Sequence, residues 1–307
     1  MGFAPQPGAA GAIEPAGVRF APRTRQLLGD YVELTKPKVQ SLLLLTTIAT
    51  MYIAGDPSPL LVALTCLGGY LSAGGAGAVN HWFDRDIDAQ MARTANRPVP
   101  SGRVSPSAAL TFGCTLAALS LIELSLAVNP LAAALSFGGF LGYVFVYTVW
   151  LKRRTPQNIV IGGAAGAVPP LVGWAAVTDS VSGTALILFF IVFFWTPPHF
   201  WALSLLMKNE YKSVGVPMLP VVRGERETRR QILLYTVLLY AVTQLLFCGS
   251  RFGIIYLVAS VALGLGFIAG AVRLYRRADR RSALQLYLFS LAYLALLFCA
   301  MVADAHL

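Results

Sequence analysis

Asn80-His81-Trp82-Phe83-Asp84-Arg85-Asp86-Ile87-Asp88 sets an amide and two carboxylates four residues apart, N-x-x-x-D-x-x-x-D, at the end of a long apolar run. In a helix each residue turns about 100°, so positions i, i+4 and i+8 fall within about 80° of one another. Three oxygen-bearing side chains stacked this way repel one another and are costly near lipid. A hard divalent cation joining them removes that cost, because such ions take oxygen ligands. Asp86 lies about 200° from Asp84 and is expected to pair with Arg85 or another basic residue. A solvated helix end bearing ordinary surface acids is the alternative, but it gives no reason for the asparagine or the strict spacing. The run therefore points to an enzyme.

The surrounding chain is a membrane protein. It has 307 residues, 56% hydrophobic and 12% charged, with mean hydropathy +0.65; soluble proteins carry about 25% charged residues. Nine apolar segments approach the roughly 20 residues a span needs: 39–55, 58–79, 107–128, 131–151, 158–178, 184–206, 231–250, 253–272 and 284–303. The expected fold is all-α and polytopic, a bundle of nine transmembrane helices. Residues 1–30, rich in Ala, Gly and Pro, are expected to be a disordered tail, and 31–307 one intramembrane domain. The tail lacks the features of a cleaved signal, and a bacterial inner membrane is the expected home. Of 24 lysines and arginines, 23 fall in the N-terminal tail and in the connections after segments two, four, six and eight; only Arg251 falls on the other side. The positive-inside rule then puts the N-terminus in the cytoplasm and the C-terminus outside. The net charge of +10 is thus a topology signal and no pointer to nucleic acid, although the basic clusters also suit anionic lipid head groups. Cys66, Cys114, Cys248 and Cys299 lie in apolar segments with no C-x-x-C pair, and are expected to be buried packing residues.

Three further clusters share the cytoplasmic face. Arg93 and Arg97 follow the acidic run; arginine binds phosphate bidentately, and an anchoring role is the alternative. Lys152-Arg153-Arg154 ends segment four, with Lys152 a candidate phosphate contact. Segment six ends in Trp195-Thr196-Pro197-Pro198-His199-Phe200-Trp201, followed by Lys208-Asn209-Glu210-Tyr211-Lys212. The prolines predict a kink that lines a cavity. His199 reads either as a hydrogen-bonded structural residue or as a contact for a metalloporphyrin or a proton. Two acidic helix ends, clustered cations and an apolar interior describe a ligand with a diphosphate head on magnesium and a hydrocarbon tail: an isoprenoid diphosphate. Glu123, near the outer end of segment three, has no place in this scheme.

These residues resemble the UbiA-type intramembrane prenyltransferases over about residues 30–307. The run from Asn80 to Asp88 is similar to their first motif. Leu34-Thr35-Lys36-Pro37, Arg93-Thr94 with Arg97-Pro98, Lys152 to Asn158, Gly166 to Pro170, Pro198 to Trp201, and Glu210-Tyr211 with Gly215 to Pro220 resemble the branch that farnesylates haem. The resemblance implies a central cavity open toward the cytoplasm and a farnesyl transfer from farnesyl diphosphate to a vinyl group of haem B, with addition of water. It implies Mg²⁺ held by Asn80, Asp84, Asp88 and Glu210. Arg93, Arg97, Lys152, Arg153, Glu210, Lys212 and His199 are then substrate contacts, and Asn80, Asp84, Asp88, Lys152 and His199 the catalytic set. A haem A synthase or terminal-oxidase assembly proteins are the implied partners. The second acidic motif of the family, commonly D-x-x-x-D, reads here Glu210-Tyr211-Lys212-Ser213-Val214, so Lys212 is expected to replace part of a second cation. A prenyltransferase with an aromatic or chlorophyll-like acceptor, a membrane transporter and a non-catalytic haem carrier are the alternative readings.

Overall fold

Helix starts are set by proline at the first turn behind a serine or asparagine cap. In the computed structural model, which describes residues 22–248 and 252–307, Ser58 accepts from the Leu61 amide at 3.2 Å to open a helix at Pro59, and Ser105 accepts from Ala108 at 3.2 Å to open one at Pro106. Asn129 does the same through Ala132 at 2.8 Å, ahead of Pro130. Proline lacks the amide that the first turn leaves unbonded, and the cap oxygen satisfies one that remains.

The elements in order are α1 Pro22–Leu34, α2 Pro37–Ala54, α3 Pro59–Phe83, the single turn α4 Arg85–Asp88, α5 Pro106–Ala127 and α6 Pro130–Leu141, which continues as a wide π-helical stretch, Gly142–Leu151. Then come α7 Asn158–Gly166, α8 Val168–Thr178, α9 Gly183–Leu206, α10 Lys208–Ser213, α11 Leu219–Val222, α12 Gly224–Cys248, α13 Ile254–Arg277 and α14 Arg280–Ala305. No strand occurs among the described residues. Among the described residues, eight helical stretches are long and apolar enough to cross a membrane: 59–83, 106–127, 130–151, 158–178, 183–206, 224–248, 254–277 and 280–305. The chain is therefore a multi-pass, all-α membrane protein.

Several expectations change. The ninth expected span, 39–55, falls on α2, an 18-residue helix outside those eight; Lys38, Gln40 and Ser41 in its first turns dilute it. It packs against α8, α14 and α3. Residues 1–21 of the expected tail, and Arg251, lie outside the described residues. From Pro22 onward the tail is helical, and α1 is held down by Asp30, which accepts from Arg103 at 2.8 Å, and by Tyr31 against Phe112, ring centres 4.8 Å apart. Pro169-Pro170 split segment five at Ala167, whereas α9 runs unbroken through the buried Pro197 and Pro198. Cys114, Cys248 and Cys299 are exposed on the helix surfaces, and Cys66 is half-buried. In a membrane an apolar residue has no need of protein around it, because lipid already excludes water from it.

α3 and α5 pack most closely. A Cβ on Gly75 would lie 2.7 Å from the Gly113 carbonyl, and one on Gly113 would lie 2.8 Å from the Gly75 carbonyl. Small residues alone permit this approach, and it fixes the end of α3 that carries Asn80. Gly75→Ala is expected to lower the thermal unfolding temperature in detergent, at a cost of about 1–3 kcal/mol. Gly138→Ala, where a Cβ would meet nothing within 4 Å, should leave it unchanged or raised; equal effects of the two would contradict the packing.

Candidate active site

α3 closes at Phe83, and Asp84 is both its C-cap and the start of α4. The helical ladder nevertheless continues: the Asp84 amide donates to the Asn80 carbonyl at 2.9 Å and the Asp88 amide to the Asp84 carbonyl at 2.8 Å. The three side chains of the motif stay within one buried region, at 3%, 0% and 3% exposure for Asn80, Asp84 and Asp88. Buried carboxylates need partners, and each partner comes from a different part of the chain. Asn80 donates to the Asp84 carboxylate at 2.7 Å and to the Thr148 hydroxyl at 3.2 Å. Lys152 forms a short ion pair with Asp84, and Arg153 reaches the same carboxylate at 3.3 Å. Arg97 donates to Asp88 at 2.7 Å. The loop carrying Arg97 folds back because the buried Thr94 hydroxyl donates to the Asp88 carbonyl at 2.9 Å.

The π-helical stretch delivers Thr148 and Lys152 to this cluster. Its wide turns are visible in the Lys152 amide, which donates to the Tyr147 carbonyl five residues back at 2.9 Å; such stretches recur at functional sites. Tyr143 and Tyr147 share the same stretch, ring centres 5.3 Å apart.

In the sequence Lys36 stands among the basic residues and within the Leu34–Pro37 stretch, with no role of its own. Here its ammonium donates to the Asn80 carboxamide oxygen at 2.6 Å and sits 5.9 Å from the centre of the Tyr143 ring. Its backbone takes the left-handed region, φ 55° and ψ 56°, a costly conformation for a residue with a side chain, and it lies just before Pro37, which disfavours the helical region there. Burial, with the like charges of Arg97 and Lys152, holds its pKa down to about 7.

Asp86 points away from the cluster, as its angle predicts, but its partner is Arg153, with two contacts at 2.6 Å. Arg85 instead donates to the Trp82 carbonyl at 2.6 Å and lies over the Trp82 ring. The Arg153 guanidinium keeps the Asp86 carboxyl down at about 2. The pair's contribution is thus present above the ordinary carboxylate pKa and is lost as pH falls below it toward about 2. Arg153 is therefore largely engaged within the protein.

From the second helix end, the charges of Arg93, Lys152, Glu210 and Arg97 all act on the Tyr211 phenol, so the α10 region faces the first cluster. One Glu210 carboxylate oxygen, Oε2, is buried and meets no hydrogen-bond donor. Lys212 and Arg93 are exposed. No three His, Cys, Asp or Glu side chains converge among the described residues; the candidate donors for a cation are two carboxylates and the Asn80 amide. Such an all-oxygen set suits a hard divalent ion.

His199 lies elsewhere. Its ring stacks between Trp195, 4.3 Å away, and Tyr287, 4.9 Å away, and its Nδ1 is 2.7 Å from the Ser290 hydroxyl. That hydroxyl donates to the Tyr287 carbonyl at 2.6 Å, so its one proton is used and it must accept from His199. The imidazole then carries its proton on Nδ1 and keeps the Nε2 lone pair free. Glu123, the other outlier, has both carboxyl oxygens buried without partners, packed against Gly68 of α3.

Comparison with known proteins gives the family. The model of the UbiA prenyltransferase family matches residues 43–297, and the chain belongs to that family. It is 55% identical over 295 residues to a protoheme IX farnesyltransferase of Chloroflexus aurantiacus, covering 95% of this chain and 50% of that protein, so it spans about half the length of that relative. It is 53% identical to the protoheme IX farnesyltransferase of Symbiobacterium thermophilum, covering 91% of this chain and 95% of that one. Among solved structures it resembles a digeranylgeranylglyceryl phosphate synthase, with a TM-score of 0.75, 21% identity and coverage of 91% and 99% of the two chains. A UbiA homologue of Archaeoglobus fulgidus bound to GPP and Mg²⁺ matches with a TM-score of 0.64 and 16% identity over 89% and 99%.

Lys152→Met leaves Asp84 buried beside a weaker partner. The variant is expected to lose stability on the order of 3 kcal/mol in the unliganded protein, read by thermal unfolding in detergent. Lys152→Met combined with Asp84→Asn should recover most of that loss; a double variant no better than the single one would contradict the pairing.

Proposed function

We propose that this chain transfers the farnesyl group of farnesyl diphosphate to a vinyl group of haem B, with addition of water, giving haem O and diphosphate. The observation that carries the proposal is the buried Asn80–Asp84–Asp88 run met by Lys36, Arg97 and Lys152 from three separate segments. The names of relatives half identical in sequence support the same reading.

Without substrate, these cations neutralise the carboxylates. With substrate, the same groups are placed to neutralise a diphosphate. Asp84, Asp88 and Asn80 would hold Mg²⁺, with Glu210 beside them. When bound, the ion offsets charge on the diphosphate oxygens and so eases departure of the leaving group. Lys152, Arg97 and Lys36 would turn toward the phosphates, with Arg93, Lys212 and Arg153 at the rim. The allylic C–O bond breaks with its electron pair leaving on diphosphate. The Tyr143 and Tyr147 rings offer faces that attract the developing cation, each by about 1–2 kcal/mol when dry. The terminal carbon of the vinyl group bonds to the farnesyl C1, and water adds to the carbon next to the ring and loses a proton.

His199 is proposed as a contact of the acceptor. Its Nδ1–H is committed to Ser290, which orients the ring and raises the basicity of Nε2, as partners of metal-bound histidines do. We place the enzyme in a bacterial inner membrane, with its N-terminus cytoplasmic and its C-terminus outside, on the strength of the charge asymmetry and with α2 as a ninth crossing beside the eight. From the reaction class we infer delivery of haem O to a haem A synthase or to oxidase assembly proteins.

The test uses membranes supplied with farnesyl diphosphate, haem B and Mg²⁺, with haem extracted and weighed by mass spectrometry. The wild type should yield haem O; Asp84→Asn, or chelation of the metal, should reduce the yield by at least about 100-fold while the protein stays folded, in line with loss of a main electrostatic contact. Near-normal yield from Asp84→Asn would sink the metal assignment, and absence of any farnesylated haem from the wild type would sink the reaction. His199→Ala should raise the KM for haem while leaving the affinity for farnesyl diphosphate within a few-fold; parallel losses would make the histidine structural.

A further inference from the structure

His81 sits inside the motif but outside its N-x-x-x-D-x-x-x-D pattern. Its side chain is 1% exposed, and neither ring nitrogen meets a hydrogen-bond partner. An imidazole always has two polar nitrogens, and leaving both unmet in a buried place is costly. His199 in the same chain shows the ordinary solution, with Nδ1 on a serine hydroxyl. Nothing comparable serves His81, although its neighbour Asn80 is fully engaged.

The surroundings indicate what would meet it. One turn earlier on α3, Gly77 lets the Lys36 turn approach: a Cβ there would lie 3.0 Å from the Leu34 carbonyl and 3.6 Å from the Lys36 side chain. His81 follows on that same side. The charges that act on its ring are those of Lys36, Arg97 and Lys152, the three cations already bound to Asn80, Asp88 and Asp84. An unpaired donor close to three cations selects an oxyanion. A hard cation prefers the oxygen donors of the motif to an imidazole nitrogen, and an apolar group leaves both nitrogens unmet.

We propose that His81 is a further positioning residue for the diphosphate, donating one ring N–H to a phosphate oxygen. This rests on the reaction proposed above and adds a contact to it. The unliganded protein bears the unmet nitrogens, and the substrate relieves the donating one, so the residue contributes to binding of the head group and to no other ligand.

The experiment measures binding of inorganic pyrophosphate and of farnesyl diphosphate, each with Mg²⁺, by calorimetry on the purified full chain in detergent. Three proteins are compared: wild type, His81→Phe, which keeps the ring volume without nitrogen, and His81→Gln, which keeps a donor. His81→Phe should bind both ligands about 10-fold more weakly, equivalent to about 1.4 kcal/mol, with the KM for haem unchanged. Its unliganded unfolding temperature should equal or exceed that of the wild type, because two unmet polar atoms are gone. His81→Gln should bind within about 3-fold of wild type, the conservative donor restoring the contact. Unchanged pyrophosphate affinity in His81→Phe, or a stability loss in it that His81→Gln rescues without change in affinity, would overturn the assignment and make His81 a packing residue. Failure of the wild type to bind either ligand would instead overturn the reaction on which the assignment rests.

Discussion

Two carboxylates buried at and just beyond the end of α3 impose the constraint that organises this chain. Asp84 and Asp88 cannot stay charged away from water unless cations are brought to them. Those cations come from the α1–α2 turn, the loop after α4 and the end of the π-helical stretch. The glycine contacts between α3 and α5, the left-handed Lys36 and the π turns ahead of Lys152 are all consequences, since each moves a segment toward the same point. Three cations stand against two carboxylates, so the empty assembly carries excess positive charge and meets an incoming diphosphate with a charge complement already in place.

The arrangement also separates the two ends of the proposed reaction. In that proposal the leaving group is held where α3, the Lys152 stretch and the Arg97 loop meet. The proposed acceptor contact, His199, is fixed in a different aromatic setting by α14, through Ser290 and Tyr287. Trp195 strengthens that link by donating to the Ser290 carbonyl at 2.8 Å. Helix α14 thus holds the α9 histidine without contributing to the charged cluster.

The spans and the acidic motif were legible because their signals are periodic and local: apolar runs of fixed length, and oxygens every fourth residue. The pairing of Asp86 with Arg153 was not, because it joins residues 67 apart in sequence, and helix geometry says only that Asp86 faces away from Asp84. Lys36 was hidden among anchoring cations, since its role depends on a backbone conformation that no composition reveals. His81 escaped notice because it interrupts the spacing of the motif and stands beside its more regular neighbours. The order in α1 escaped too: its tie to Arg103 crosses 73 residues, while its own composition reads as a linker. Only lipid, absent from the sequence, explains why the cysteines need no burial in protein.

Electron paramagnetic resonance of Mn²⁺, substituted for Mg²⁺ in the purified protein, tests the central claim most directly. The account predicts that farnesyl diphosphate converts the free-ion signal to an immobilised one in the wild type, and that Asp84→Asn abolishes the conversion while the variant still unfolds cooperatively. An immobilised signal of equal amplitude in Asp84→Asn, or a free-ion signal unaltered by farnesyl diphosphate in the wild type, would contradict it.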